Sequence, residues 1–151
     1  MIMTQMVIDR FRDEYFFLSN MSLAKIVYKD MSFKTSEHFY QACKTYDRQH
    51  QLRIMQAEKP SEAKKLAKPN VIDIRSDWDD VKLGIMEFVL MLKFSQNNWL
   101  TKKLLATNNI QLIEGNTWHD NFFGNCTCGK PKCKDFGNNH LGILLMKVRE
   151  Q

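Results

Sequence analysis

The stretch from Asp80 to Gln96 constrains the fold most. Val81, Ile85, Met86, Phe88, Val89 and Leu92 spread a wide apolar band around a helix of about five turns. Such a helix is expected to be buried on most of its surface, with Asp77 or Asp79 placed to cap its start. It needs other elements packed around it. At 151 residues the chain is long enough to supply them as one domain over residues 1–151. With 44% hydrophobic and 11% aromatic residues, it carries enough apolar material to exclude a disordered chain.

The remaining segments read as short elements. Met6 to Phe11 alternates weakly, as a short strand does, and Phe16, Phe17 and Leu18 are expected in the core. Ala24–Tyr28 and Met31–Lys34 flank the turn Lys29-Asp30 as a β-hairpin, being rich in β-branched and aromatic residues. A helix is expected from Asp47 to Ala57, with Leu52, Ile54 and Met55 inward. Pro60 opens a shorter one at its favoured first turn, ending at Pro69-Asn70. There Ala63, Leu66 and Ala67 face inward, and Lys64, Lys65 and Lys68 form a solvated face. Trp99 to Ala106 makes a further helix, and Ile143 to Val148 fits a helix or a strand. The expected class is α+β, predominantly α, with a small hairpin near the N-terminus.

Between hairpin and second helix lies T-S-E-H-F-Y-Q-A-C-K, residues 35–44. Phe39, Ala42, Cys43 and Tyr46 fall at i, i+3, i+4 and i+7, the spacing of a buried helix face, and make Cys43 a core residue. Thr35 or Ser36 can cap the start. Glu37, Gln41 and Lys44 repeat on the opposite side, so a carboxylate and an amine stand about 10.5 Å apart along the axis. That is too far for an i, i+4 ion pair. Either this is an ordinary solvated face or the gap holds a small ligand. Ser19 and Asn20 are turn formers, and Trp78 is either a packing staple or a stacking platform for a ring.

The last third changes character. E-G-N-T-W-H-D-N-F-F-G is dense in polar and glycine residues and fits no period, as binding loops often do. It runs into Cys126, Cys128 and Cys133, spaced C-x-C-x4-C. Three thiols this close can hold a structural Zn²⁺, with His119, His140 or water as fourth ligand; free packed thiols and redox chemistry are the alternatives. No phosphate-gripping glycine loop, dinucleotide fingerprint, H-E-x-x-H or G-x-S-x-G is present. The net charge of +5 suits an anionic partner. Without an apolar leader in Met1 to Phe11 or a run long enough to span a bilayer, a cytosolic (cytoplasmic) protein with no membrane contact is expected.

Five separated motifs then appear in a fixed order: F-L-S-N, T-S-E-H-F-Y-Q-A-C-K, D-W-D-D-V-K-L-G-I-M followed by K-F, H-D-N-F-F-G, and G-N-N-H-L-G-I-L-L-M-K-V-R. Together, from about Phe11 to Arg149, they resemble the NADAR, or YbiA-like, family. The resemblance implies a single-domain orthogonal helical bundle that hydrolyses N-glycosidic bonds. It implies two substrate classes: ADP-ribose carried on guanine bases, and ribosylamino-pyrimidine intermediates of riboflavin synthesis. It makes Glu37, Lys44 and Asp120 catalytic, with Asp120 and Trp78 across the pocket and Asn20, Phe123 and Asn139 as further substrate contacts. Phe123-Gly124 stands where many members have Trp-Gly, which keeps an aromatic wall but loses an indole donor. The cysteine insert belongs to only part of the family.

In both substrate classes ribose C1′ is bonded to an exocyclic amine, so Lys44 can attack C1′ to give a Schiff base while Glu37 or Asp120 moves protons. The alternative is direct attack by a carboxylate-activated water, with Lys44 binding phosphate. The expected partner is an ADP-ribose-bearing guanine nucleotide or nucleic acid, with no cofactor required for catalysis. A phosphoribosylamino-pyrimidine is the second reading, and a non-catalytic ADP-ribose binding module the third.

Overall fold

A computed structural model describes residues 6–151. Residues 1–5, part of the stretch read above as lacking a leader, lie outside the described residues. In chain order the elements are β1 (Val7–Ile8), a 3-10 turn (Asp13–Leu18), β2 (Leu23–Tyr28), β3 (Met31–Thr35), α1 (Ser36–Ala42), α2 (Arg48–Gln56) and α3 (Pro60–Leu66). There follow α4 (Trp78–Gln96), α5 (Asn98–Ala106), β4 (Gln111–Leu112), β5 (Gly115–Asn116), β6 (Asn125–Cys126), a second 3-10 turn (Pro131–Cys133) and α6 (His140–Glu150). The fold is predominantly α with small sheets. Its residues group into two compact units, one of residues 6–19 and 99–151, the other of residues 20–98. Among the described residues no helix is long and apolar enough to cross a membrane.

In the unit of residues 20–98, β2 and β3 pair antiparallel, with Lys29 in the left-handed conformation at the turn (φ 53°). The alternation works as expected: Ala24, Ile26 and Phe33 are buried, while Leu23, Lys25 and Lys34 are exposed. The outer edge of β2 is closed by the Gln96 side chain, whose amide donates to the Val27 carbonyl and accepts its N–H, both at 2.8 Å. Phe33 and Phe39 stack at 4.7 Å, joined by Tyr28 and Phe88.

Two expectations fail here. α4 is not buried on most of its surface: Met86, Val89, Leu90, Lys93 and Phe94 are buried, but Leu83, Phe88 and Met91 are exposed. Its buried stripe is displaced by one residue from the apolar band, because Lys93 occupies a core position. Nor does the central helix reach Tyr46. α1 ends at Ala42, which leaves Tyr46 72% exposed, its ring under the Arg75 guanidinium at 4.6 Å.

In the other unit β1 and β4 pair parallel, as do β5 and β6. The segment Ile143–Val148 lies within α6, a helix. Gly142 lets α6 lie close to β4, since a Cβ there would run into the Leu112 carbonyl and the Asn139 side chain. Phe17 and Leu18 are buried as expected, whereas Phe16 is 44% exposed on the 3-10 turn.

Candidate active site

All seven residues of α1 are buried, including Ser36, Glu37, His38 and Gln41, so the solvated-face reading of the helix is overturned. A short helix can hold that many polar groups in a core only if each finds a partner. The Thr35 hydroxyl accepts the His38 N–H at 3.1 Å, capping the helix, and donates to His38 Nδ1 at 2.8 Å. His38 Nε2–H then donates to the Ala57 carbonyl at 2.9 Å, and burial pushes this histidine below its ordinary pKa, consistent with a neutral ring. Ser36 donates to Asn20 Oδ1 at 2.8 Å, and the Asn20 carbonyl accepts the Glu37 N–H at 3.1 Å. Asn20 thus brackets the start of α1, with its amide nitrogen directed at Met86 Sδ.

Glu37 Oε1 accepts from Gln41 Nε2 at 2.8 Å, which leaves Gln41 Oε1 buried with no partner among the described residues. A buried acceptor left open beside a buried carboxylate is suited to a ligand N–H or O–H.

Lys44 follows the helix end. Its N–H reaches the Gln41 carbonyl at 3.2 Å, and its carbonyl accepts the Arg75 N–H at 2.8 Å. The same Arg75 holds Asp77 in a two-point ion pair at 2.6 and 2.8 Å, so Asp77 precedes α4 without a side-chain cap. This fixes Trp78 as the first residue of α4, 5.7 Å from Lys44 Nζ to ring centroid and 5.1 Å between its ring and that of Tyr40. Half-buried beside the Trp78 ring, Lys44 has its pKa lowered by desolvation. The Glu37 carboxylate opposes this, and Lys64 and Lys82 reinforce it. Asn20, Glu37, Lys44 and Trp78 therefore share one unit, with Gln41 and Tyr40 as members that sequence spacing did not single out as ligand contacts.

Asp120, Phe123 and Asn139 lie in the other unit. Asp120 Oδ1 accepts the N–H groups of Phe122 and Phe123 at 3.1 and 3.0 Å, which folds residues 120–123 into a tight turn. Asn116 anchors that turn by donating to the Asp120 carbonyl at 2.8 Å and accepting its N–H at 3.2 Å. The turn is sewn to α6: the N–H groups of Asn139, His140 and Leu141 donate to the carbonyls of Gly124, Phe122 and Phe123. Asn139, left-handed at φ 51°, places its side chain between the Glu114 N–H and the Leu112 carbonyl, each at 2.9 Å. It holds backbone on both ends. Phe123 is half-buried, edge-on to Phe122 at 4.8 Å.

Beside this turn, His119, Cys126, Cys128 and Cys133 bring their ligand atoms within 4.8 Å of one another. The histidine in this cluster is His119; the His140 ring instead packs on Phe122 at 4.6 Å. Cys43 is separate from it, at the end of α1, its thiol pushed up to about 11 by burial and therefore inert. Lys93, the lysine of the K-F motif, had no place in the apolar band read from the sequence. Fully buried on α4, it reaches Ser22 Oγ at 3.4 Å, and desolvation lowers its pKa to about 7.

A family model described as the NADAR domain matches residues 8–151. The N-glycosidase YbiA of Escherichia coli (strain K12) is 34% identical over 139 residues, covering 92% of this chain and 82% of that protein. The riboflavin biosynthesis protein VVA0006 of Vibrio vulnificus (strain YJ016) is 35% identical over 89% of this chain but only 35% of its own length. The NMR structure of E. coli YbiA matches with a TM-score of 0.83 at 32% identity, over 99% of this chain and 86% of that one. The chain belongs to the NADAR domain family.

Proposed function

We propose that this protein is an N-glycosidase that cleaves the bond between ribose C1′ and an exocyclic amine, with Lys44 as nucleophile. One observation carries the proposal: a half-buried lysine with a lowered pKa, over a tryptophan ring and within the field of a buried glutamate. An amine held toward its neutral form is the species that attacks a carbon electrophile. Relatives named N-glycosidases support the reaction class.

The steps balance with water alone. The ribosylamine opens its furanose ring to an imine at C1′, placing the proton on O4′. Lys44 Nζ adds to C1′, its two amine protons pass in turn to the leaving nitrogen with Glu37 as carrier, and the base departs as a free amine. The C1′=Nζ imine then takes up water and collapses to the sugar aldehyde and free Lys44, and O4′ recloses the ring. Moving protons at the two nitrogens is worth roughly 10² to 10⁴ in rate.

The favoured substrate is ADP-ribose attached to guanine in nucleic acid or nucleotide. The net charge of +5 suits the polyanion, and the half-buried Trp78 ring, backed by Tyr40, suits stacking of a base. A phosphoribosylamino-pyrimidine is the second reading, supported by relatives named for riboflavin biosynthesis. Turnover of both, side by side, with wild type and Lys44→Ala, separates them. Release of ADP-ribose that vanishes in the variant supports the first. Turnover of the pyrimidine alone supports the second. Binding of ADP-ribose without turnover of either substrate would contradict the enzymatic reading and leave a binding module.

A further inference from the structure

We propose that His119, Cys126, Cys128 and Cys133 bind one Zn²⁺ in a closed tetrahedral site that organises the segment carrying Asp120. His119 Nδ1 lies 3.7, 3.5 and 3.4 Å from the Sγ atoms of Cys126, Cys128 and Cys133. A tetrahedron with Zn–S of about 2.3 Å and Zn–N of about 2.05 Å has N···S edges of about 3.55 Å. All three distances fall within about 0.2 Å of that value. The cluster therefore already has the dimensions of a zinc site.

Three further features set this cluster apart from thiols that merely pack together. His119 is exposed and left-handed at φ 72°, a conformation that a non-glycine residue adopts at some cost, yet its ring turns Nδ1 into the thiols. Two sulfurs also receive N–H donors: Asn121 Nδ2 to Cys133 at 3.3 Å and the Lys130 N–H to Cys128 at 3.5 Å. Such outer contacts orient thiolate ligands and offset their charge. Finally, all four cysteines are free, and an odd number of thiols in the cluster cannot be satisfied by disulfides within it.

The segment also needs a tie. From Thr117 to Phe136 its buried side chains are those of Cys126 and Cys133, while Trp118 and Phe136 are exposed at 54% and 75%. It has no apolar core of its own, the situation in which small units use a metal. Four protein ligands leave no open position, so the ion is structural rather than catalytic. Its effect reaches Asp120 through the adjacent His119, and through Asn121, which touches Cys133 and accepts the Cys126 N–H at 2.9 Å. Binding releases the thiol protons and changes no oxidation state.

The test is metal analysis of the full chain purified under reducing conditions, with cobalt substitution. About one zinc per chain is expected, and Co²⁺ added to chelator-stripped protein should give the strong visible and thiolate charge-transfer bands of a tetrahedral sulfur site. Because Cys133→Ser is prone to misfold, the variants of choice are His119→Ala and Cys128→Ser, at the more accessible positions. Each should retain far-ultraviolet circular dichroism yet bind zinc at least about tenfold more weakly, whereas Cys43→Ser should bind as wild type does. Zinc below about 0.1 per chain, with no cobalt spectrum from fully reduced protein, would overturn the site. So would unchanged affinity in both variants.

Discussion

Two regions of this molecule hold polar side chains in place by opposite means. In α1 every residue is buried, and Ser36, Glu37, His38 and Gln41 are positioned by a helix sunk in apolar surroundings. In the segment from Glu114 to Asn139 there is little regular structure, and Asn116, Asp120, Asn121, Asn125 and Asn139 hold the backbone directly through their side chains. The first arrangement uses desolvation, which makes each charge costly and shifts the Lys44 amine toward its neutral form. The second staples its backbone with side chains, Asn116 and Asn139 buried and Asp120, Asn121 and Asn125 half-buried, and makes geometry, not a shifted charge, its product. Desolvation of the first kind favours the neutral form of an amine, whereas the second fixes the Asp120 carboxylate as an acceptor for backbone N–H groups.

The contrast can be broken most severely at Lys93, the buried cation of the dry region. Its folded pKa of about 7 lies below the ordinary 10.5, so the unfolded chain binds more protons between those values, and stability should rise with pH across that window. Lys93→Met should stabilise the fold at neutral pH by about 3 kcal/mol and flatten the dependence. Urea unfolding from about pH 7 to about pH 9 reads both effects, and an unchanged slope in the variant would contradict the assignment.

Glu37→Gln keeps the helix but removes the proton carrier, and kcat should fall by about 10²-fold with little change in melting temperature. In the stapled region the cost should appear in stability instead. Asn139→Ala loses two buried hydrogen bonds to backbone and should destabilise the fold by about 2 kcal/mol, measured by thermal melting. The smallest effect is expected at the entrance to α1, where Thr35→Val removes the cap and the His38 partner for about 1 kcal/mol.

The sequence made the local devices legible. The Lys29-Asp30 turn, Pro60 at the first turn of α3, Asp47 accepting the His50 N–H at the start of α2, and the run into α1 all stand where chain-neighbour chemistry put them. What depended on distant partners was not legible. The i, i+7 match at Tyr46 failed because the Lys44 carbonyl pairs with the Arg75 N–H, thirty-one positions away in sequence, after the helix has ended. Lys93 entered the sequence reading only within the K-F motif, because a charged residue is not counted in an apolar band. Its place seven residues after Met86 and four after Val89, on the stripe that is buried, was the available signal.

At the site, Glu37, Lys44 and Trp78 were reachable through motif order, but their burial was not. Periodicity assigned α1 two faces where packing left none exposed. Asn20 and Asn139 carry their structural duties through partners sixteen or more residues away, which spacing cannot show. The C-x-C-x4-C spacing left zinc, packed thiols and redox chemistry open, and only the fold distinguishes His119 from His140.

The central claim is that Lys44 is a nucleophilic amine. Borohydride added during turnover of an ADP-ribosylated guanosine oligonucleotide, followed by peptide mass spectrometry, tests it most directly. The expected result is a reduced sugar adduct on the peptide containing Lys44, absent without substrate and absent in Lys44→Ala. Full turnover with no adduct on Lys44, or turnover that persists in Lys44→Ala, would contradict the claim and favour direct attack by water.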